Sequence, residues 1–534
     1  MSAAAASVPA SRARAGRPLP AWWPLAALVA LAAALRFSTL GLQSFWYDEA
    51  YTPVHVLHPG LGATLRAMVH SENSPPLWYL VEWVDYRLLG SGEVALRIPS
   101  ALAGVATVPV AWAIGRELGG RRAALITAAL VAVNPLFIWY SQEARVYGLF
   151  VLMVALALLC FLRALREPTP ANMAAFALTG ALALATHYFA LFLLAPMVIW
   201  MLAERTTRRA ALPAVTAIAL AGLALLPLVL AQGGHGTQWI GRWPLSERLQ
   251  AIPQYYLTGY SAAPLGHGVE LLVAVLVLAG IGVGVRRMLE PGAPVRAMGD
   301  SPERREDPAR RRRLVIVLSI AASGVLAPIV LAAFGADYLA PRNLVAAMIP
   351  VTALIAALLA WPGTGRAGAA LGAMLVLAFL ALSLDVNLSP RLQRGNWRGV
   401  ASALRSGPRA RVITSVELGG APLEYYLPPL RNLPRGRSVL VSEIDETGYA
   451  PLRSSAGSAP AAGFHLLERR NIDGLIVYRF VSPVARFVSE ATLRRHVITL
   501  AHPEVLVPPQ LLLCCAGARP SAEVVQMSSM TKKI

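Results

Sequence analysis

Two carboxylates stand side by side in Phe45-Trp46-Tyr47-Asp48-Glu49-Ala50, directly after the first long apolar segment of the chain. An ionised acid that sinks into a bilayer costs about 2.5 kcal/mol or more, so an acid pair at the edge of an apolar run is read as a functional group by default. The bland alternative is that the pair caps the helix that follows, where the helix dipole favours negative charge. Three further polar groups occupy comparable positions: His70 with Glu72-Asn73-Ser74-Pro75-Pro76, then Glu143, Arg145 and Tyr147, then Tyr338 with Arg342. Acids beside arginines suit a reaction that needs a base and an anion clamp. Arg145 and Arg342 are the phosphate candidates, because a guanidinium grips phosphate bidentately and stays charged.

The elements that position these residues follow from composition. Of 534 residues, 56% are hydrophobic and 14% charged, and the mean hydropathy is +0.54, too apolar for a soluble domain. Mostly apolar segments recur from Ala21 to Leu384; about eleven are long enough to cross a hydrocarbon core as helices. The net charge of +19 does not point to nucleic acid, because the basic residues fall in every second loop: Arg12, Arg14 and Arg17; Arg116, Arg121 and Arg122; Arg163 and Arg166; Arg205, Arg208 and Arg209; Arg286, Arg287, Arg304, Arg305 and Arg310 to Arg313. That pattern is a topology and anionic-lipid signal. It places the N-terminus in the cytoplasm and the Asp48 loop outside.

The expected organisation is a cytoplasmic tail at 1–20, an all-α membrane domain at 21–384 with outer loops at 41–95 and 232–268, and a small extracytoplasmic α/β domain at 385–534. Within the last, Arg411–Thr414 and Gly474–Tyr478 read as strands and Trp397–Arg405 as a helix. The segment from Arg286 to Arg313, Pro-rich and charged in both signs, reads as a disordered inner linker. Arg36 and the length of the first apolar run mark a retained span, not a cleaved signal. Cys160 reads as a small hydrophobe, and Cys514 and Cys515 are given no role. Arg97 is placed to snorkel or to bind ligand. His187, inside an apolar run before Tyr188, reads as a packing histidine, and His235, Tyr255 and Tyr256 as interfacial anchors.

A lipid-linked phosphosugar fits these parts. Its tail would lie among apolar helices, its phosphate would meet arginine near the headgroup level, and Asp48 would take the proton of an acceptor hydroxyl. Two rivals remain at this stage: a lipid or glycolipid transporter, whose polar groups usually sit near the midplane, and a non-catalytic lipid-binding scaffold.

Four stretches, Phe45 to Ala50, Glu72-Asn73-Ser74-Pro75-Pro76-Leu77-Trp78-Tyr79, Leu96-Arg97-Ile98-Pro99-Ser100 and Trp139 to Tyr147, resemble the bacterial glycosyltransferase family 39 proteins. These belong to the GT-C membrane glycosyltransferases, alongside protein O-mannosyltransferases and the aminoarabinose transferases that modify lipid A. The resemblance is strong up to about residue 150 and continues weakly through Tyr338 to Pro350. It implies a GT-C fold and transfer of a sugar, with inversion, from a polyprenyl-phosphate donor in the bacterial plasma membrane to an extracytoplasmic protein, glycolipid or polysaccharide. It further implies Asp48 as the catalytic or acceptor-orienting acid with Glu49 and Glu72 in support; the residues themselves put Arg145, Arg342 and Tyr338 around the donor phosphate, with Glu143, Tyr147, Arg97 and His70 as supporting residues. Some members of the superfamily bind a divalent metal and others do not. Asp48, Glu49 and Glu72 are hard ligands suited to Mg2+ or Mn2+, yet without metal-ligand spacing the expectation is no obligatory metal. Asn396-Trp397-Arg398 resembles an Asp-Trp-Arg motif of the family; with Asn at the first position, no catalytic role is transferred to it.

Overall fold

The computed structural model describes residues 22–235, 237–259, 263–290, 302–405, 410–427, 429–496, 498 and 503–514. The chain begins with α1 (Trp23–Phe37) and reaches a set of outer helices: α2 (Tyr47–Tyr51), continued by a π-helical turn over Thr52–Val56, then α3 (Leu61–Ser71) and α4 (Leu77–Leu89). It re-enters as α5 (Glu93–Val133). α5 folds back on itself at Gly119 and Gly120, whose φ of +73° at Gly120 is open to glycine and strained for other residues. The helices α6 (Pro135–Ser141), α7 (Tyr147–Arg166), α8 (Pro170–Thr186), α9 (Ala190–Ala203) and α10 (Arg208–Gln232) follow. Two outer helices, α11 (Gln238–Arg242) and α12 (Leu245–Thr258), precede α13 (His267–Leu289), α14 (Pro302–Ala333), a 3-10 turn over Pro341–Ala347, α15 (Met348–Leu359) and α16 (Gly365–Leu388). Among the described residues, seven helices are long and apolar enough to cross a membrane, and α1, α8 and α9 are shorter apolar helices.

Proline explains the break that shapes the Asp48 end of this bundle. Pro135 has no N–H to give Val131, and the N–H groups of Leu136 and Phe137 turn to the Asn134 side chain at 3.0 and 3.1 Å. Three carbonyls are thereby released inside an apolar core, where an unpaired one is costly. Arg36, buried on α1, donates to Val131 at 3.2 Å and Ala132 at 2.9 Å, and Ser383 donates to Val133 at 2.7 Å. The satisfied break lets α6 end at the strap Gln142–Val146, which carries Glu143 and Arg145.

The two ends of the bundle differ in charge. At one end Arg163 and Arg166 face Glu117, Arg312 pairs with Glu204, and Arg122 donates to the carbonyl of Gly365. The polar clusters lie at the other end. Arg310 to Arg313 extend α14 as helix, which corrects the reading of the whole Arg286–Arg313 segment as unstructured; residues 291–301, like the tail at 1–20 and Cys515, lie outside the described residues.

After α16 come α17 (Trp397–Leu404), β1 (Arg411–Ser415), α18 (Gly420–Tyr426), β2 (Arg431–Asn432), β3 (Ser438–Tyr449), β4 (His465–Ile472), β5 (Leu475–Ser489), α19 (Glu490–Arg495), β6 (Glu504–Val507) and α20 (Pro509–Cys514). The strands form one sheet in the order β2-β6-β1-β3-β5-β4. Among the described residues, only β1 and β3 pair in parallel. This layer is fastened to the outer loop near Asp48: Ser44 bridges the carbonyl of Gly395 and the N–H of Trp397, each at 3.0 Å, and the Tyr426 hydroxyl accepts the N–H of Phe45 at 2.8 Å.

Candidate active site

Successive residues of a helix point about 100° apart, and α2 uses this to send its two acids in different directions. Glu49 turns inward and is fully buried. It holds Arg97 through two bonds of 2.7 Å and accepts the N–H of Ala144 at 2.9 Å. Arg97 in turn donates to the carbonyls of Leu40, Gln43 and Ser44. A paired and hydrogen-bonded buried charge of this kind is a clamp: it joins the incoming loop, α2, the start of α5 and the 142–146 strap.

Asp48 turns to a cavity. Its Oδ2 lies 2.5 Å from Arg342 Nη1, and Arg342 itself stands over the rings of Trp239 and Tyr147, at 5.1 and 6.0 Å. Arg145 makes two 3.3 Å bonds to Glu72 and a third to the Asp48 carbonyl. Burial alone would raise the Asp48 carboxyl, but Arg342 and then Arg145 outweigh it and hold the group below its ordinary value. Glu143 differs. It is buried with one oxygen unpartnered, Arg394 reaches it only at 3.4 Å, and burial pushes its carboxyl up to about 7.

The cavity measures about 1140 Å3. Its outer mouth is lined by Asp48, Glu72, Arg145, Tyr147, Tyr338 and Arg342; from there it runs between α8, α9 and α10 along residues such as Leu194, Val198, Ile218 and Leu226. A polar head set on a long apolar groove matches the shape of a lipid phosphate. Of the residues picked from sequence, Asp48, Glu72, Arg145, Arg342, Tyr338 and Tyr147 line this one space, whereas Glu49, Arg97, Glu143 and His70 do not. The sequence reading passed over His187, Gln232, Trp239 and Leu418 as cavity residues; all four line the cavity. Gln232 had a legible signal, as an amide closing an otherwise apolar helix. In the structure it donates to the carbonyl of Ser74 at 3.1 Å and accepts from the Tyr188 hydroxyl at 2.7 Å.

Among the described residues, no group of three or more His, Cys, Asp or Glu side chains comes together as a metal site. Glu49 is committed to Arg97, and Asp48 and Glu72 each face an arginine, so these three acids do not converge as a ligand set.

Residues 73–231 match the family model described as dolichyl-phosphate-mannose-protein mannosyltransferase. No curated protein sequence matches the chain significantly. Among solved structures, the fold is similar to that of ArnT from Cupriavidus metallidurans bound to undecaprenyl phosphate, 14% identical, with 86% of this chain and 98% of that chain covered and a TM-score of 0.54. Looser similarity extends to the Archaeoglobus fulgidus oligosaccharyltransferase in complex with Zn and sulfate, at 16% identity, 76% and 57% coverage and a TM-score of 0.43. It also extends to the S. cerevisiae protein O-mannosyltransferase Pmt1-Pmt2 complex bound to the sugar donor, at 18% identity, 40% and 33% coverage and a TM-score of 0.32. The matched segment contains Arg97, Arg145 and the groove helices α8 and α9, and over most of the chain the fold is similar to that of ArnT.

Proposed function

We propose that the protein moves a sugar from a polyprenyl-phosphate donor to a hydroxyl-bearing acceptor on the outer face of a bacterial plasma membrane, with its N-terminus in the cytoplasm and the sheet region outside. The observation that carries this reading is a single cavity in which an acid, two arginines and a lipid-sized groove meet. The match to ArnT, which has been solved with undecaprenyl phosphate, supports it.

The chemistry follows from the side chains. The polyprenyl tail lies in the groove between α8, α9 and α10, and Arg145 and Arg342 take the phosphate oxygens, with Tyr338 at the rim. Asp48 accepts the proton of the acceptor hydroxyl as its oxygen attacks the anomeric carbon. The bond from that carbon to the phosphate oxygen breaks, and the electron pair leaves with polyprenyl phosphate, whose added charge the arginines stabilise. One displacement inverts the anomeric centre. Glu49 and Arg97 hold α2 in place, and Glu72 orients Arg145. No step calls on a metal.

The test is donor consumption. Purified protein in lipid nanodiscs, offered a panel of polyprenyl-phosphate sugars, is expected to convert at least one to polyprenyl phosphate and to label an acceptor from an outer-envelope extract. If no member of the panel is consumed, the reading fails.

A further inference from the structure

His187 sits in the turn between α8 and α9, 8% exposed, and lines the cavity that holds Asp48, Arg145 and Arg342. Its ring is locked. It stacks on Phe150 at 4.5 Å and 17°, meets Phe189 edge-on at 5.5 Å, and its Nδ1 accepts the backbone N–H of Phe189 at 3.1 Å. A ring nitrogen that accepts from an amide carries no proton, so the proton of the neutral imidazole is on Nε2. The alternative, a doubly protonated ring, is opposed by burial and by the charges of Arg342 and Arg145, which hold His187 below its ordinary value. The histidine is therefore a rigid, neutral N–H donor on the wall of the cavity that holds both arginines, held by aromatic packing instead of by charge.

Resting on the proposed function above, we propose that His187 is a third ligand of the lipid-linked phosphate, donating from Nε2 to an oxygen that Arg145 and Arg342 leave unsatisfied. The phosphodiester of the donor, and still more the phosphate monoester that leaves, has more acceptor positions than two guanidinium groups fill when both also serve carboxylates, as Arg145 does with Glu72 and Arg342 with Asp48. A neutral donor adds a bond without adding a third positive charge to the site. The same donor is in place when the leaving phosphate gains charge, which is where preorganised dipoles contribute most.

Undecaprenyl phosphate without a sugar is the probe, titrated into detergent-purified protein at neutral pH, with thermal unfolding recorded alongside. His187→Phe retains the stacking on Phe150 and loses the donor; His187→Gln retains an amide N–H near the position of Nε2; His187→Asn offers a group only near Nδ1. The expected result is affinity about tenfold weaker for His187→Phe and His187→Asn and within about threefold of the native protein for His187→Gln, in line with one hydrogen bond to a charged group. Packing alone predicts the opposite order, with Phe tolerated and Gln not. Native-like affinity in His187→Phe, or loss in His187→Gln equal to that in His187→Phe, overturns the proposal and leaves the proposed function standing. Failure of the native protein to bind undecaprenyl phosphate overturns both.

Discussion

At the scale of the residue, the arrangement turns on the different fates of two neighbours. Glu49 is buried against Arg97 and Ala144, where removing either charged partner would leave the other uncompensated; Asp48, one position earlier, faces the cavity and Arg342. The Asp48–Arg342 pair has a kinetic consequence. In the free enzyme Arg342 offsets the burial of Asp48 and keeps it ionised below its ordinary range. A donor phosphate that draws Arg342 away weakens this offset and makes Asp48 a better base once the donor is bound. The sign can be read from Arg342→Gln: with the main cation gone, burial raises the Asp48 carboxyl, so the acid limb of kcat/KM moves to higher pH than in the native enzyme, beyond any general loss of rate. An unmoved limb would separate Asp48 from the step that limits turnover.

At the scale of the element, the groove between α8, α9 and α10 is where the proposed function puts the lipid tail. Gly222 on α10 lines it, and a Cβ there meets only Leu184 Cδ1, at 3.7 Å, so the helix has room for a side chain that the groove does not. Gly222→Phe is predicted to keep the native unfolding temperature and to weaken undecaprenyl phosphate binding about tenfold, the scale of about 1.4 kcal/mol. Equal binding would place the tail elsewhere. These helices were legible because a membrane span announces itself by length and composition alone. What the sequence could not show was direction. Asp48 and Glu49 are indistinguishable by type and position until α2 is placed, and the contact of Asp48 with Arg342 spans 294 positions, a tertiary fact with no local signature. His187 was read as packing because its flanks are apolar, and it does pack; its second nitrogen was invisible to any periodicity. Strand β1 began where the alternation suggested, whereas β5 runs on to Ser489 through exposed residues that carry no burial pattern.

At the scale of the molecule, two layers meet at one mouth. The helical bundle supplies the groove and the arginines, and the sheet region closes over the outer loop through Ser44, Phe45 and Tyr426. Leu418, in the loop between β1 and α18, reaches the rim of the cavity, and Glu417 beside it pairs with Arg242 on α11. On the proposed function an acceptor passes this rim to reach Asp48 and the donor enters through the groove, so donor capture and transfer are separable events in one enclosure. That separation gives the most direct test of the account. With the polyprenyl-phosphate sugar that the native protein consumes, Asp48→Asn should bind donor and undecaprenyl phosphate with native affinity yet form product at least about a hundredfold more slowly, the range lost with a general base. Product formed at the native rate by Asp48→Asn would contradict the assignment of this cavity as the place where the proton and the sugar change hands.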